Sequence, residues 1–177
     1  MKDEAKRIRI ESGTKPLLRA GYVRLIIRVA VLALIGFVVF TKVFIVTQAL
    51  GNDMFPAIKD GDLVIAFRMQ RSYSKNDVVV CSFGGKRTVG RIAALHGDVV
   101  TLDESGVMLV NGTAQEGEVA YPTYAKEGLT YPYRVPEGAV FVLGDHRTKA
   151  CDSRDYGAVL LDDVDGKVIT ILRRKGL

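Results

Sequence analysis

The stretch LIIRVAVLALIGFVVFTKVFIV, Leu25 to Val46, constrains this chain more than any other. As a helix its 22 residues would reach about 33 Å, enough to cross a hydrocarbon core of roughly 30 Å. Between Val29 and Phe40 there is no polar side chain, so no face of such a helix suits water, and a helix half-buried in a soluble core is excluded. Arg28 and Lys42 stand near the two ends, where long side chains reach back to the headgroups. A leader cleaved near Thr47-Gln48-Ala49 is the competing reading. The long basic arm ahead of the run, and Lys42 between the apolar core and that site, favour an anchor that stays in place. The expected organisation is a basic arm at 1–24, a single transmembrane anchor at 25–46 and a folded region at 47–177.

Charge supports this division. The net charge of +5 invites a nucleic-acid partner until it is mapped. Met1 to Arg28 carries eight basic and three acidic side chains, which is the whole excess, and the remainder balances at 17 of each. Basic residues gathered on one flank of a span hold that flank in the cytosol. The expectation is a single-pass protein of the cell membrane with a cytoplasmic N-terminus and an extracytoplasmic C-terminal region, and with lipid but no nucleic acid as a partner.

From Gln48 onward, short β-rich runs alternate with turn residues. DLVIAF (62–67), DVVVCSF (77–83), RTVGRIAAL (87–95), DVVTLD (98–103), VMLV (107–110), AVFVLG (139–144) and VDGKVITILRR (164–174) read as strands. Asp-Gly, Gly-Asp and Asn-Gly pairs punctuate them, and Asn111-Gly112 reads as a hairpin turn rather than a glycosylation sequon. The fold class is mainly β, an antiparallel domain of two sheets or a partial barrel behind one N-terminal transmembrane helix. Tyr121 to Tyr133, rich in Tyr, Pro and Gly, reads as a long exposed loop. Ser72-Tyr73-Ser74-Lys75 matches Ser-x-x-Lys but opens no helix and reads as a turn. His96, His146, Cys81 and Cys151 show no metal spacing, so neither metal nor cofactor is expected. The two cysteines are expected to be free thiols.

Three motifs, in order, carry a resemblance. Gly51-Asn52-Asp53-Met54-Phe55-Pro56 with Lys59-Asp60-Gly61-Asp62 follows the apolar run. Gly90-Arg91-Ile92-Ala93-Ala94-Leu95-His96-Gly97-Asp98 comes second. Val135-Pro136-Glu137-Gly138 then leads into Gly144-Asp145-His146-Arg147, Ala150 and Asp152-Ser153-Arg154. Together they resemble the boxes of type I signal peptidases, which read Gly-x-Ser-Met-x-Pro, Lys-Arg-Val-Ile-Gly-x-Pro-Gly-Asp and Gly-Asp-Asn-Arg-x-x-Ser-x-Asp-Ser-Arg. The departures fall on the chemistry. By the resemblance, Asp53 stands where the family has its nucleophilic Ser, Gly90 where it has the general-base Lys, and Ala150 where a Ser orients that Lys.

A Ser–Lys dyad needs a hydroxyl to attack the carbonyl and a neutral lysine to take its proton. An aspartate has no such hydroxyl, glycine has no side chain, and alanine cannot orient a base. Lys86 lies on the same face of its strand as Gly90 but about 13 Å away at roughly 3.3 Å per residue, beyond the ~3 Å reach of proton transfer. Arg91 points to the opposite face and stays protonated. An acid pair of Asp53 and Asp152 is disfavoured because the resemblance pairs Asp152 with Arg154. No catalytic residue is therefore expected, and Asp53, Met54, Pro56, Gly90, Asp152, Ser153 and Arg154 are candidates for a peptide-holding cleft.

The resemblance is nearest to the non-catalytic signal-peptidase-like proteins of Gram-positive pilus loci, which carry Asp and Gly at those two positions. It implies an accessory factor or chaperone for sortase-mediated pilus polymerisation. Secreted pilins or other surface-protein precursors, and a sortase, would be the partners. The alternative is an active type I signal peptidase with relocated catalytic groups.

Overall fold

The computed structural model describes residues 2–70, 72–115 and 120–173, with side chains from residue 21 onward. It divides into two compact units between Lys42 and Val43. The first is one helix, α1, Lys2–Val43. Its segment Gly21–Val43, 23 residues, is long and apolar enough to cross a membrane, and none of it is buried within the structure.

The anchor expected at 25–46 is corrected at its C-terminal end. The helix runs without a break from the arm expected at 1–24, and it stops at Val43. Phe44–Gln48 is a strand, β1. Aromatic and β-branched side chains favour the extended form, and here they find a partner: Phe44 opposes Phe67 and Gln48 opposes Leu63. Ile45 points into the core at 4% exposure. The Arg68 amide closes the junction on the Val43 carbonyl at 2.8 Å.

The second unit is mainly β. After β1 come β2 (Leu63–Phe67), β3 (Val78–Phe83), β4 (Lys86–Leu95), β5 (Val99–Leu102), β6 (Met108–Val110), β7 (Thr113–Ala114), β8 (Tyr133–Arg134) and β9 (Ala139–Leu143). A short helix α2 (Ser153–Tyr156), β10 (Val159–Leu160), a 3-10 turn and β11 (Val164–Leu172) complete it. Seven strands form one antiparallel sheet in the order β1-β2-β11-β3-β4-β9-β10, and four form a second, β7-β6-β5-β8. Every run expected from sequence to be a strand is one; β4 begins one residue earlier, at Lys86, and the others lose one or two residues at an end among those described. The two-residue strands β7, β8 and β10 were too short for a period to register. Asn111 (φ 53°) and Gly112 (φ 80°) make the two-residue hairpin between β6 and β7, with both residues in the left-handed region such a turn requires.

Three apolar clusters hold the unit together. Ile45, Val64 and Val80 belong to one; Val79, Ile92 and Val142 to another; Phe141, Leu143 and Val100 to the cluster shared with the smaller sheet. A bulge in β4 between Ile92 and Ala94 breaks the alternation, so Ala93 and Ala94 both enter that shared cluster. The segment 121–133 corrects the expectation of an exposed loop. Thr123 is buried, and Leu129, Tyr131 and Tyr133 pack against the shared cluster. Both cysteines are free, Cys81 buried and Cys151 exposed.

Candidate functional site

Asp53 sits on a turn that the surrounding acids tie down. Asp60 accepts the Gly51 amide at 2.8 Å and Asp62 accepts the Lys59 amide at 3.0 Å. Met54 and Ile58, exposed by 4% and 1%, plug the turn into the core. Pro56 is exposed. The Asp53 carbonyl accepts the His146 amide at 2.9 Å, which fixes the turn against the third motif. The Asp53 carboxylate makes no hydrogen bond or ion pair among the described residues. Burial pushes its pKa above the ordinary value, and the charge of Asp152 adds to that; Lys126 and His146 act in the opposite direction.

The third motif is a buried brace. Asp152 caps α2, accepting the Arg154 amide at 3.1 Å, and also accepts the Gly144 amide at 3.1 Å. Arg154 grips the same carboxylate through Nε (2.9 Å) and one terminal nitrogen (2.8 Å), and reaches the Arg147 carbonyl. The ion pair expected between Asp152 and Arg154 is present and water-excluded, with side-chain exposures of 3% and 1%. Ser153 accepts the Val142 amide at 2.9 Å. These three cleft candidates therefore hold the site in shape from beneath and offer no surface to a partner. A β-carbon on Gly144 would overlap Ala150 Cβ and come within 2.6 Å of the Asp53 carbonyl oxygen, so residues 53, 144 and 150 meet at one point.

Gly90 is close to that point, and its side-chain space is taken. A β-carbon there would overlap Val142 Cγ1 and lie 3.4 Å from the Leu143 carbonyl. Its neighbour Arg91 points the other way, into a bidentate pair with Asp145 at 2.8 and 2.7 Å. The sequence reading missed an amine. Lys126, from the Tyr-rich segment, reaches the Ala150 carbonyl and pairs with Asp155 at 2.6 Å. Burial works to raise Asp155, but the bonds from Lys126 and from the Asp152 amide, with the Lys126 charge, hold it below the usual carboxylate range. The amine is thus turned toward a carbonyl and a carboxylate. Nothing in the spacing of Lys126 announced it, because 24 residues separate it from its acceptor Ala150. Two residues of the third motif have contacts that the sequence did not reveal. His146 is stacked on Tyr121 with centroids 4.4 Å apart and tilted against Phe55. Buried Arg147 donates to Gly144, Gln115 and Thr123, and burial lowers it to about 10.

Beside Asp53 opens a groove of about 510 Å³. Ala49, Met54, Ile58, Val80 and Val89 make its apolar lining, with Asp53 and Lys86 also on its wall. Two unpaired strand edges border it. β1 is an end strand of the larger sheet. β4 pairs with β3 along Lys86–Arg91 but with β9 only from Arg91 onward, which leaves one edge of Lys86–Gly90 open. Because neighbours in the sheet alternate in direction, β1 and β4 run the same way.

A membrane-length helix joined to two antiparallel sheets, with the first and third motifs meeting at Asp53 beside a groove, defines a signal-peptidase-like protein. The family model for signal peptidase, peptidase S26, matches residues 21–172, and the chain belongs to that family. It is 29% identical over 134 residues to a signal peptidase I of Bacillus caldolyticus, covering 67% of this chain and 73% of that one. It is 28% identical over 174 residues to signal peptidase I U of Bacillus subtilis strain 168, covering 92% and 90%. A crystal structure of a signal peptidase I from Enterococcus faecalis V583 aligns with a TM-score of 0.47 at 26% identity, over 56% of this chain and 98% of that chain.

Proposed function

We propose that this chain is a non-catalytic member of its family. In this reading it is anchored in the cell membrane with its N-terminus cytoplasmic, and its outer domain holds extended segments of secreted surface-protein precursors. Pilin subunits awaiting sortase-mediated polymerisation are the foremost candidates, as the Asp53 and Gly90 replacements imply. The observation that carries the reading is the packing of Val142 into the side-chain space at Gly90, beside an Asp53 that has no hydroxyl to activate. Backbone pairing along two open strand edges needs no catalytic group and suits a chaperone. The basic flank supports the orientation.

The names of the relatives favour a second reading, an active signal peptidase. It requires Lys126 or another amine to act on a hydroxyl of the groove, and Lys126 is committed to Asp155 and the Ala150 carbonyl. The two readings part on one assay. Full-length protein in detergent micelles, mixed with a secretory precursor bearing an Ala-x-Ala site, is expected to yield no product. Cleavage by the wild-type chain that disappears in Lys126→Met would establish the peptidase. Removing the protein from a pilus-forming cell is expected to abolish the polymer ladder on a gel, and an intact ladder overturns the pilin assignment.

A further inference from the structure

Three arginines serve the third motif, and two of them have a carboxylate. Arg91 holds Asp145 in a bidentate pair, and Arg154 holds Asp152. Arg147 is 2% exposed and forms no ion pair among the described residues. Its Nε donates to the Gly144 carbonyl at 2.9 Å, and one terminal nitrogen donates to Gln115 Oε1 at 2.9 Å and Thr123 Oγ1 at 2.7 Å. All three acceptors are neutral. The second terminal nitrogen makes no hydrogen bond among the described residues. A buried cation held by neutral oxygens alone keeps much of its desolvation cost, which a counter-charge would offset. The same burial holds Arg147 down at about 10.

The two side chains that accept from Arg147 also line a cavity. It measures about 440 Å³, has Gln115, Tyr121 and Thr123 in its wall, and shares no lining residue with the groove beside Asp53. A hydroxyl can accept and donate at once, and a side-chain amide carries two N–H donors beside its oxygen. The Thr123 hydroxyl and the Gln115 amide nitrogen donate to nothing among the described residues. With both oxygens turned to the guanidinium, two unspent donors remain beside the cavity, polarised by the charge behind them. Tyr121 links this wall to the first motif, because it stacks on His146, whose amide fixes the Asp53 carbonyl.

We propose that this cavity is a carboxylate-binding site, with Gln115 and Thr123 donating to the ligand and Arg147 as the buried counter-charge. The ligand is a monoanion, either the carboxylate of an acidic side chain or that of a small organic acid. One unpaired positive charge calls for one negative charge. Asp145 and Asp152 lie within electrostatic range of Arg147, and they oppose a second negative charge on the ligand.

The test uses the full-length chain in non-ionic detergent micelles with Tris chloride at neutral pH, and follows the melting temperature. Gln115→Glu places a carboxylate where Gln115 Oε1 now lies, 2.9 Å from Arg147. This variant is expected to melt about 2–5 °C above wild type. A paired carboxyl has its pKa depressed, so the gain should be lost as pH falls below about 4. With the charge satisfied from within, the variant should no longer need a ligand. Against sodium chloride of equal ionic strength, sodium acetate is expected to raise the wild-type melting temperature by about 1–3 °C more than that of the variant. The variant cancels any effect of acetate on the solvent. N-acetylglutamate amide in place of acetate separates the sources: an equal or larger rise points to an acidic side chain, and a rise with acetate alone to a small acid. Equal responses of the two chains to acetate, or a Gln115→Glu chain no more stable than wild type at neutral pH, would overturn the site.

Discussion

Asp53 carries a cost that a neutral residue would not. The pKa of its half-buried carboxylate is raised mainly by desolvation and then by Asp152, and the group has no bonded partner among the described residues. An acid whose folded-state pKa lies above its unfolded value takes up protons on folding. Its ionised form lowers stability above that folded pKa and has no effect below the ordinary value, about 4. Asp53→Asn should therefore raise the melting temperature of the full chain in micelles at pH 7, and the difference should close below about pH 4. An equal gain at both pH values would mean that shape rather than charge is responsible. The type of residue at position 53 was legible in the sequence, and so was the motif around it. Its lack of a partner was not, because that depends on where Arg154, Lys126 and Arg91 spend their charges.

Between elements, the contact that matters most is β4 against β9. An extra carbon at Gly90 meets Val142 Cγ1, so Gly90→Ala is expected to destabilise the fold by about 1–3 kcal/mol, the usual range for an overfilled core. Val142→Ala makes room, so the double variant should recover much of that loss. A thermal-unfolding cycle of the two single variants and the double reports the coupling, and additivity would show that the two side chains do not compete. The sequence placed the strands of the outer domain well, since alternation and turn pairs mark them directly. It misjudged the junction with the anchor, because FIV reads as apolar in a membrane and in a strand alike. Only the ladder from Phe44↔Phe67 to Gln48↔Leu63 separates the two. The Tyr-rich segment misled for the opposite reason. Its composition is that of a loop, yet Thr123, Leu129 and Tyr131 are held by the smaller sheet's cluster and by Arg147.

For the molecule as a whole, the cysteines offer a probe of topology across the bilayer. Cys151 is exposed beside Ala150, while Cys81 is fully buried. With the N-terminus cytoplasmic, a membrane-impermeant maleimide added to intact cells should label the protein once, at Cys151. A second label should appear only on denaturation. Protection of Cys151 until the membrane is opened would reverse the orientation. The same geometry makes Cys151 a reporter for the groove, since it adjoins the point where residues 53, 144 and 150 meet.

The sequence by itself determined the membrane-length helix, the antiparallel β character, the family and the presence of aspartate and glycine at positions 53 and 90. Those properties follow from local composition, period and motif. Tertiary structure decided that Val142 fills the space at Gly90, that Lys126 is drawn to Asp155, and that Asp53 and Lys86 face one groove unpaired. Each of these depends on which distant segments the two sheets bring within a few ångströms, and no local pattern in the chain encodes such distances.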